Sequence, residues 1–123
     1  MKPENEADIL NAIMLAVNDG MTAILWRNSV GTAENWDPNT GKLRYSRHGL
    51  GAGSADLVGV CNGVFLAIEV KRRDGKVDPK QHQWIALVRK FGGVAGVARN
   101  VSEALALVNE AKEAASSHRK GGV

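Results

Sequence analysis

The stretch ADLVGVCNGVFLAIEVK, residues 55–71, contains two apolar segments separated by the dipeptide Asn62-Gly63. An Asn-Gly pair between apolar runs is the strongest short-range signal for a β-hairpin, because both residues tolerate the positive φ angles of a tight turn. We therefore predict two antiparallel strands that pair across this turn. The second run is apolar at four consecutive positions, Phe65 to Ile68, and suits the middle of a sheet.

The second predicted strand ends in charged residues at alternating positions. Side chains alternate across a strand, so Glu69 and Lys71 share one face while Val70 points to the other. Counting outward from the turn places Asp56 opposite Glu69, which brings a second carboxylate beside the first. Such a cluster is costly unless a cation compensates it, and carboxylate oxygens suit Mg²⁺ or Mn²⁺. The pattern predicts a metal site that hydrolyses a phosphodiester, with Lys71 near the attacking water.

A solvated strand end is the alternative interpretation of this charged segment. A glutamate and a lysine two positions apart are more often a surface face than a site. Two features favour a site here: Asp56 falls opposite Glu69, and the rest of the strand is too apolar for an exposed edge.

The rest of the chain predicts an α/β domain with a mixed sheet flanked by helices, in the order α-β-β-β-β-α-β-α. The predicted elements outside the hairpin are a helix over residues 3–18 with Pro3 in its first turn, a strand within 21–29, a short strand near 42–46 in a long excursion over 30–53, a helix from Pro79 to Gly92-Gly93, a strand over 94–98, and a helix over 102–116 capped by Ser102. Two helices carry apolar stripes that we expect to be buried. The stripes are Ile9, Ile13 and Val17 in the first helix, and Trp84, Leu87, Val88 and Phe91 in the second.

Length and composition indicate a soluble globular protein of one domain. The chain has 123 residues, of which 44% are hydrophobic and 24% charged. We assign residues 1–115 to the domain and 116–123 to a flexible tail. No apolar run is long enough for a membrane span, and no secretory leader is recognisable. Cys61 is the only cysteine, which excludes an internal disulfide and a four-cysteine zinc site and indicates a reducing, intracellular setting.

The distribution of charge is more informative than the net charge of +3. Acidic residues are frequent near the N-terminus, whereas basic residues gather around the apolar middle and would attract a polyanion. We predict that they contact the phosphates of such a polyanion, which gives affinity without sequence preference. The predicted set is Arg44, Arg47, Arg72, Arg73, Lys76 and Lys80. Trp26, Trp36 and Trp84 are interpreted as core or interface residues rather than as platforms for base stacking.

Residues 51–105 resemble the VRR-NUC domain of the PD-(D/E)xK nuclease superfamily, in particular its small stand-alone, virus-type members. The matching elements are Gly53-Ser54-Ala55-Asp56, Glu69-Val70-Lys71, Gln81 three positions before Trp84, and Gly92-Gly93 before the last strand. The segment EADILNAI is similar to the first helix of the family, whose acidic residue would fall on Glu6. The segment WRNSVG is similar to an Arg-x-Asn-x-x-Gly stretch of the family. The Pro-Asp of the superfamily is Ala55-Asp56 here.

The resemblance implies a restriction-endonuclease-like fold that cleaves DNA with Mg²⁺ or Mn²⁺. It implies that Asp56, Glu69 and the backbone carbonyl of Val70 hold the metal. It assigns catalytic roles to Asp56, Glu69, Lys71, Gln81 and Glu6. Stand-alone members look like homodimers that cut branched DNA such as four-way (Holliday) junctions. A location in the bacterial cytoplasm, including that of a phage-infected cell, follows from the virus-type resemblance.

Several alternatives stay open at this point. Glu6 at a helix start is explained equally well by the helix dipole, and Gln81 by a plain surface position. Other functions are a nickase, flap nuclease or general duplex nuclease in DNA repair or replication, and a DNA-binding module without catalysis. A nuclease fold that serves only as an interaction domain is a further alternative.

Overall fold

The computed structural model describes residues 4–29 and 31–121, with the side chains of residues 31–34, 46–48 and 119–121 outside that description. Helices and strands follow one another as a mixed α/β domain. Their bounds are α1 Glu6–Asp19, β1 Ile24–Arg27, β2 Gly31–Trp36, β3 Leu43–His48, β4 Leu57–Cys61, β5 Val64–Val70, α2 Pro79–Lys90, β6 Val94–Ala98 and α3 Val101–Gly121. The order contains one strand more than predicted, because the segment before residue 37 is also extended and pairs with β3.

The hairpin formed by β4 and β5 lies at the centre of the main sheet. Its turn is Asn62-Gly63, and these residues have φ angles of 50° and 87°, as the turn chemistry predicts. The register pairs Leu57 with Ile68. One further step along this ladder brings Asp56 opposite Glu69, which is the register counted from the turn.

The main sheet has four strands in the order β1-β4-β5-β6. β4 is antiparallel to both of its neighbours, and β6 runs parallel to β5 after the crossover through α2. β2 and β3 form a separate two-stranded ribbon, in which Trp36 pairs with Leu43. A mixed sheet flanked by helices confirms the predicted fold class and is consistent with the restriction-endonuclease-like fold.

α1 and α3 cover one face of the main sheet and form the larger core with it. The predicted stripe of α1 is buried, with Ile13 fully so. Burial of one such side chain contributes about 1.5–3 kcal/mol. Because the largest fully buried side chains belong to this core, this face supplies most of the hydrophobic stabilisation. The largest fully buried side chains are Ile13, Leu25, Leu57, Leu66, Ile68, Val70 and Cys61.

α2 covers the opposite face of the sheet only in part, which corrects the expectation that its stripe is buried. Trp84 and Val88 are half-buried, whereas Leu87 and Phe91 are 52% and 78% exposed. The helix packs on small side chains of the sheet and of the loop before β4. Among the described residues, no second layer covers the outer side of the helix. The buried side chains under it are Ala55, Ala67 and Ala95.

The start of α1 differs from its prediction. The helix begins at Glu6, and the side chain of Asn5 caps it by accepting the Asp8 N–H at 2.8 Å. Asparagine is a preferred N-cap because its short side chain satisfies a free N–H of the first turn. Pro3, predicted in the first turn, lies outside the described residues.

α3 is capped two residues earlier than expected and runs further. The side chain of Asn100 accepts the Glu103 N–H at 2.8 Å, so Ser102 lies inside the helix and is not its cap. Residues 116–121, assigned to a tail by the sequence, are part of α3. None of the helices in the described part of the chain is both long and apolar enough to cross a membrane.

A side chain at Gly59 would prevent β1 from pairing with β4. A methyl group built on Gly59 overlaps the carbonyl oxygen of Ile24 on the neighbouring strand. We expect Gly59→Ala to lower the free energy of unfolding by about 3 kcal/mol, because backbone must move to accept it. Urea denaturation measures this loss. The control is Leu15→Ala at an exposed position of α1, and equal losses in the two variants would contradict the steric argument.

Candidate active site

The predicted carboxylates lie at one edge of the main sheet. β1 ends and β4 begins at this edge, because the ladder pairs Arg27 with Leu57. β5 and β6 end there in parallel, with Val70 beside Ala98. We call the edge marked by these four residues the carboxylate edge. α2 and α3 also begin near it, since α2 contacts the end of β5 through its first turn and α3 follows β6 directly.

Glu69 is a buried carboxylate with one oxygen that has no partner. The residue is 2% exposed. Its Oε1 accepts a hydrogen bond from Gln81 Nε2 at 2.9 Å, and Lys71 Nζ lies 4.0 Å from the same oxygen. Its Oε2 is buried and has no hydrogen-bond partner among the residues that the structure describes. Because an uncompensated buried charge costs several kcal/mol, this geometry fits a ligand that brings positive charge or a proton.

The pKa of Glu69 reflects this surrounding. Burial is the largest cause that raises the pKa from 4.5 to about 8, followed by the neighbouring Asp56 carboxyl group, which disfavours a second negative charge beside it. Lys71 lowers the pKa, and Glu6 raises it. With a pKa of about 8, Glu69 holds a proton at neutral pH when no cation is bound.

Asp56 is held by backbone groups on two sides. Its Oδ2 accepts the Val70 N–H at 2.8 Å. Its carbonyl oxygen accepts the Asn28 N–H at 2.8 Å. The first contact turns the carboxylate toward the end of β5, and the second fixes the start of β4 against the end of β1.

Asn28 organises the loop that leads to Asp56, and the sequence analysis did not assign it to the site. Its Nδ2 donates to Ser54 Oγ at 2.8 Å and to the Ala55 carbonyl at 2.9 Å. Its Oδ1 accepts the Leu50 N–H at 3.1 Å. The signal available in the sequence is an asparagine just after a strand, within the segment WRNSVG. All of these contacts are long-range, so the local pattern does not identify the role.

Gly53 allows this loop to approach α2 closely. It has a φ of +83°, and a methyl group there would lie 2.7 Å from the Lys80 carbonyl oxygen. Only glycine adopts this conformation at little cost and leaves the space. The loop before Asp56 is thus fixed by Asn28 on one side and by the backbone of α2 on the other.

Gln81 has two functions in the structure. Its Oε1 accepts the Asp78 N–H at 3.0 Å, while the Asp78 carboxylate accepts the N–H groups of Lys80 at 2.8 Å and Gln81 at 3.1 Å. This capping box starts α2. The same side chain donates to Glu69 through Nε2. The helix cap therefore fixes the orientation of the amide that contacts the carboxylate.

Glu6 stands at the first position of α1 and is exposed. It is near enough to Glu69 to act on it, although burial is the main reason for the raised pKa of that residue. The favourable interaction with the helix dipole also accounts for an acid at this position. Its catalytic role stays a prediction.

The predicted phosphate-contacting residues lie around the carboxylate edge and in the ribbon. They occupy β3, the loop that follows β5, and the first turn of α2, and each described side chain is exposed. Arg44 lies 3.0 Å from Asp37, and Arg72 lies 2.9 Å from Asp74, so both are paired within the chain. The side chain of Arg47 lies outside the described residues. The remaining members of the set are Arg73, Lys76 and Lys80.

Arg99 fixes the basic loop after β5, and the sequence analysis missed it. Its Nη1 donates to the carbonyl oxygens of Arg72 at 2.8 Å, Arg73 at 3.3 Å and Gly75 at 2.8 Å. Its own N–H donates to the Glu103 carboxylate at 2.7 Å. The three contacts from Nη1 join segments at least 24 residues apart, so no local pattern reveals them.

The oxygen donors at this site fit a hard divalent cation. Asp56 and Glu69 supply carboxylates, and one oxygen of Glu69 is buried and unpartnered. Mg²⁺ is usually held by one or two carboxylates and keeps several waters. Within the described ranges, no group of three histidine, cysteine, aspartate or glutamate side chains could hold an ion. The residues therefore fit an ion completed by water and substrate rather than an all-protein cage.

A mixed sheet with a buried carboxylate, a second carboxylate and a lysine at the end of its central strands is typical of restriction-endonuclease-like nucleases. The chain matches the family model of the VRR-NUC domain over residues 6–102 and belongs to that family, which confirms the predicted resemblance. The chain therefore belongs to a nuclease superfamily, which implies DNA as the substrate. The domains of this superfamily generally use divalent metals. No curated protein matched the chain.

The buried carboxyl should make stability fall with rising pH. Because the pKa of Glu69 is about 8 in the folded protein and 4.5 ordinarily, the folded state holds a proton that the unfolded chain releases. This contribution to stability is present below pH 4.5 and is lost as the pH rises through 8. Urea denaturation of metal-free protein across this window should show the loss, and Glu69→Gln should flatten it because the amide does not titrate.

The matched control for this experiment is Glu113→Gln, at an exposed position of α3. It removes the same charge far from the carboxylate edge and should leave the pH dependence of the free energy of unfolding unchanged. A pH dependence in Glu69→Gln as steep as that of the unsubstituted protein would show that another group causes it.

Proposed function

We propose that the protein is a metal-dependent, structure-selective DNA endonuclease that hydrolyses phosphodiester bonds in branched DNA such as four-way (Holliday) junctions. The strongest support is the buried, unpartnered oxygen of Glu69 beside Asp56, with Lys71 Nζ 4.0 Å from the other oxygen. A module that only binds DNA would gain nothing from two clustered carboxylates near phosphates, because they repel the ligand.

Asp56 and Glu69 would hold Mg²⁺ or Mn²⁺ together with the backbone carbonyl of Val70. When bound, such an ion lowers the pKa of a water and offsets the charge that develops on the phosphate. Gln81 supports this arrangement because it occupies only Oε1 of Glu69. The hydrogen bond from the Val70 N–H likewise fixes Asp56 through Oδ2.

Lys71 is the group we assign to the reacting atoms. Its side chain is 15% exposed, so it is largely shielded from bulk water and its charge acts strongly at short range. In hydrolysis a water adds to phosphorus and loses a proton, and the leaving oxygen gains one as its bond to phosphorus breaks. Lys71 would orient that water or stabilise the phosphate oxygens. Glu6 would reach the site from α1, directly or through water.

Recognition by DNA shape is supported by the position of the basic residues. Those that the structure describes are exposed in loops and first turns near the carboxylate edge and on the ribbon. Side chains of this kind bind phosphates, which position the DNA without reading its sequence. A branch alters the path of the phosphates, so such a surface can select it.

A homodimer is supported by the apolar surface that α2 leaves uncovered. Ile24, Val60 and Phe65 form one row across β1, β4 and β5, and they are 42%, 39% and 40% exposed. Trp26, on the same face of β1, is 54% exposed. A contiguous apolar surface marks an interaction site, and two-fold pairing would place two active sites on symmetric strands of a junction.

We place this activity in the bacterial cytoplasm, including that of a phage-infected cell. Cys61 is the single cysteine of the chain and is a buried free thiol. A protein stabilised without disulfides fits a reducing compartment. The virus-type resemblance supports the phage setting.

Loss of either active-site charge should abolish cleavage. We expect Glu69→Ala and Lys71→Ala to lower the cleavage rate of a four-way junction by about 100-fold or more, since each removes a group that acts on the reacting atoms. Cleavage is measured on junction, flap and linear duplex DNA with Mg²⁺, with Mn²⁺ and with chelator. Lys112→Ala, an exposed lysine on α3 away from the carboxylate edge, is the matched control.

The outcomes of this experiment separate the candidate functions. Metal-dependent cleavage of the junction in preference to duplex supports the proposal. Equal cleavage of all substrates would instead indicate a general duplex nuclease. Full activity in Glu69→Ala or Lys71→Ala would remove the site assignment. A shift of the thermal midpoint by Mg²⁺ or Mn²⁺ that disappears in Glu69→Gln would show metal binding independently of cleavage.

The oligomeric state tests the dimer. Light scattering should give twice the 13.1 kDa of one chain, because an uncovered apolar face is unfavourable in water. Trp26→Glu should give a folded monomer, since the charge would be buried in the interface. Leu15→Glu, at an exposed position of α1, should stay dimeric. A monomeric unsubstituted protein, or a dimeric Trp26→Glu variant, would contradict the assigned surface.

A further inference from the structure

The ribbon of β2 and β3 carries an exposed aromatic face that the active site does not use. Leu43 and Tyr45 lie two positions apart and share one side of β3, and Trp36 pairs with Leu43 across the ribbon. We call these three residues the aromatic face. Trp36 is 72% and Tyr45 65% exposed, so Trp36 is not a core residue. Apolar side chains that are exposed next to one another form a patch that can bind a ligand.

The tip of the ribbon is closed by hydrogen bonds. The Asp37 N–H donates to the Lys42 carbonyl at 2.9 Å, and the Gly41 N–H donates to the Asp37 carbonyl at 2.8 Å. The Asp37 carboxylate accepts the Asn39 N–H at 2.9 Å and lies 3.0 Å from Arg44. Trp36 and Tyr45 are therefore displayed by paired strands rather than by an open loop.

Both ends of the ribbon are joined to the carboxylate edge. β1 ends at this edge and continues into β2, and β3 continues into the loop that carries Asp56. Asn28 joins the two connections, because its N–H donates to the Asp56 carbonyl and its Oδ1 accepts the Leu50 N–H. Six-residue strands extend about 20 Å, the length of roughly six base-pair steps. DNA bound at Asp56 would therefore have the ribbon beside it.

We propose that the aromatic face stacks on bases that are unpaired or terminal at the branch point of the DNA. The proposal rests on the proposed function, and it names the feature of the substrate that the ribbon recognises. A tryptophan or tyrosine ring stacks on any base, but an intact duplex offers no free base face along its length. A branch or a flap does. Stacking by Trp36 and Tyr45 would thus favour branched over linear DNA.

Charge and position favour DNA over a second copy of the chain as the ligand of this face. Residues 31–48 contain three basic and two acidic residues in the sequence, so the ribbon carries a small positive charge suited to phosphates. The ribbon begins and ends at the carboxylate edge, where the substrate of the proposed reaction would lie. The apolar row across β1, β4 and β5 is a separate surface on the main sheet.

The experiment measures binding in the presence of chelator, so that no cleavage is needed. The unsubstituted protein and Trp36→Ala/Tyr45→Ala are titrated with a four-way junction and with linear duplex of equal length. A 2-aminopurine at the branch point reports stacking through its fluorescence. We expect the double variant to bind the junction at least about tenfold more weakly, with less than about threefold change on duplex, and to lose the fluorescence change.

Two further variants separate stacking from a loss of structure. Trp36→Phe/Tyr45→Phe keeps two ring faces and should retain junction binding and the fluorescence change. Leu15→Ala removes a similarly exposed apolar side chain, at 67%, from α1 and should bind as the unsubstituted protein does. Thermal unfolding of all variants should be alike, because the aromatic face lies outside both cores.

Each outcome decides one question. Unchanged junction binding in the double alanine variant, or equal weakening on junction and duplex, would overturn the stacking role. A dimer that becomes monomeric in this variant would assign the face to a second copy instead. If junction binding depends on Trp36 and Tyr45 but the unsubstituted protein shows no metal-dependent cleavage, the proposed nuclease is rejected and the stacking role stays intact.

Discussion

The turn at Asn62-Gly63 is the constraint on which the rest of the structure depends. It fixes the pairing of β4 with β5, and a slip of one residue would move every side chain of these strands to the opposite face. The register of this pairing therefore decides both the packing of the core and the position of Glu69. It directs Leu66 and Ile68 into the core under α1 and α3, and it directs Glu69 to the other face, beside Asp56. Core packing and the formation of the carboxylate pair are consequences of one register.

The second feature is the unfavourable electrostatics that this register creates. Glu69 is buried next to another carboxylate, and Gln81 and Lys71 are the described residues that offset the cost. Gln81 can do so because the capping box with Asp78 already holds its amide in place, so little side-chain entropy is lost at the site. The hydrogen bond is thus supported by the start of α2. This electrostatic cost persists because the surrounding elements hold the two carboxyl groups in place, and a bound cation would reduce it.

The sequence predicts those parts of the fold that depend on local chemistry. Turn residues, alternation and helical spacing identify the central hairpin, its register and the buried stripe of α1, and the register brings Asp56 to Glu69. Long-range contacts are not visible in these patterns. Asn28 and Arg99 act on loops that lie far away in the chain, and β2 has little apolar alternation and exists through its pairing with β3. The exposure of Phe91 depends on what covers α2, which its own spacing does not reveal.

The two faces of the main sheet differ in the side chains that they bury. The face under α1 and α3 contains the large buried side chains, whereas the face under α2 has mainly alanines and the carboxylate pair. Because Glu69 stands on the central strand β5, its position is set by a sheet that the larger core stabilises. Asn28 and Arg99 tie the loops beside the carboxylate edge to the ends of the strands with several hydrogen bonds each. This support from strands and loop contacts keeps the two carboxyl groups close together, since loops alone would let them separate and lower their repulsion.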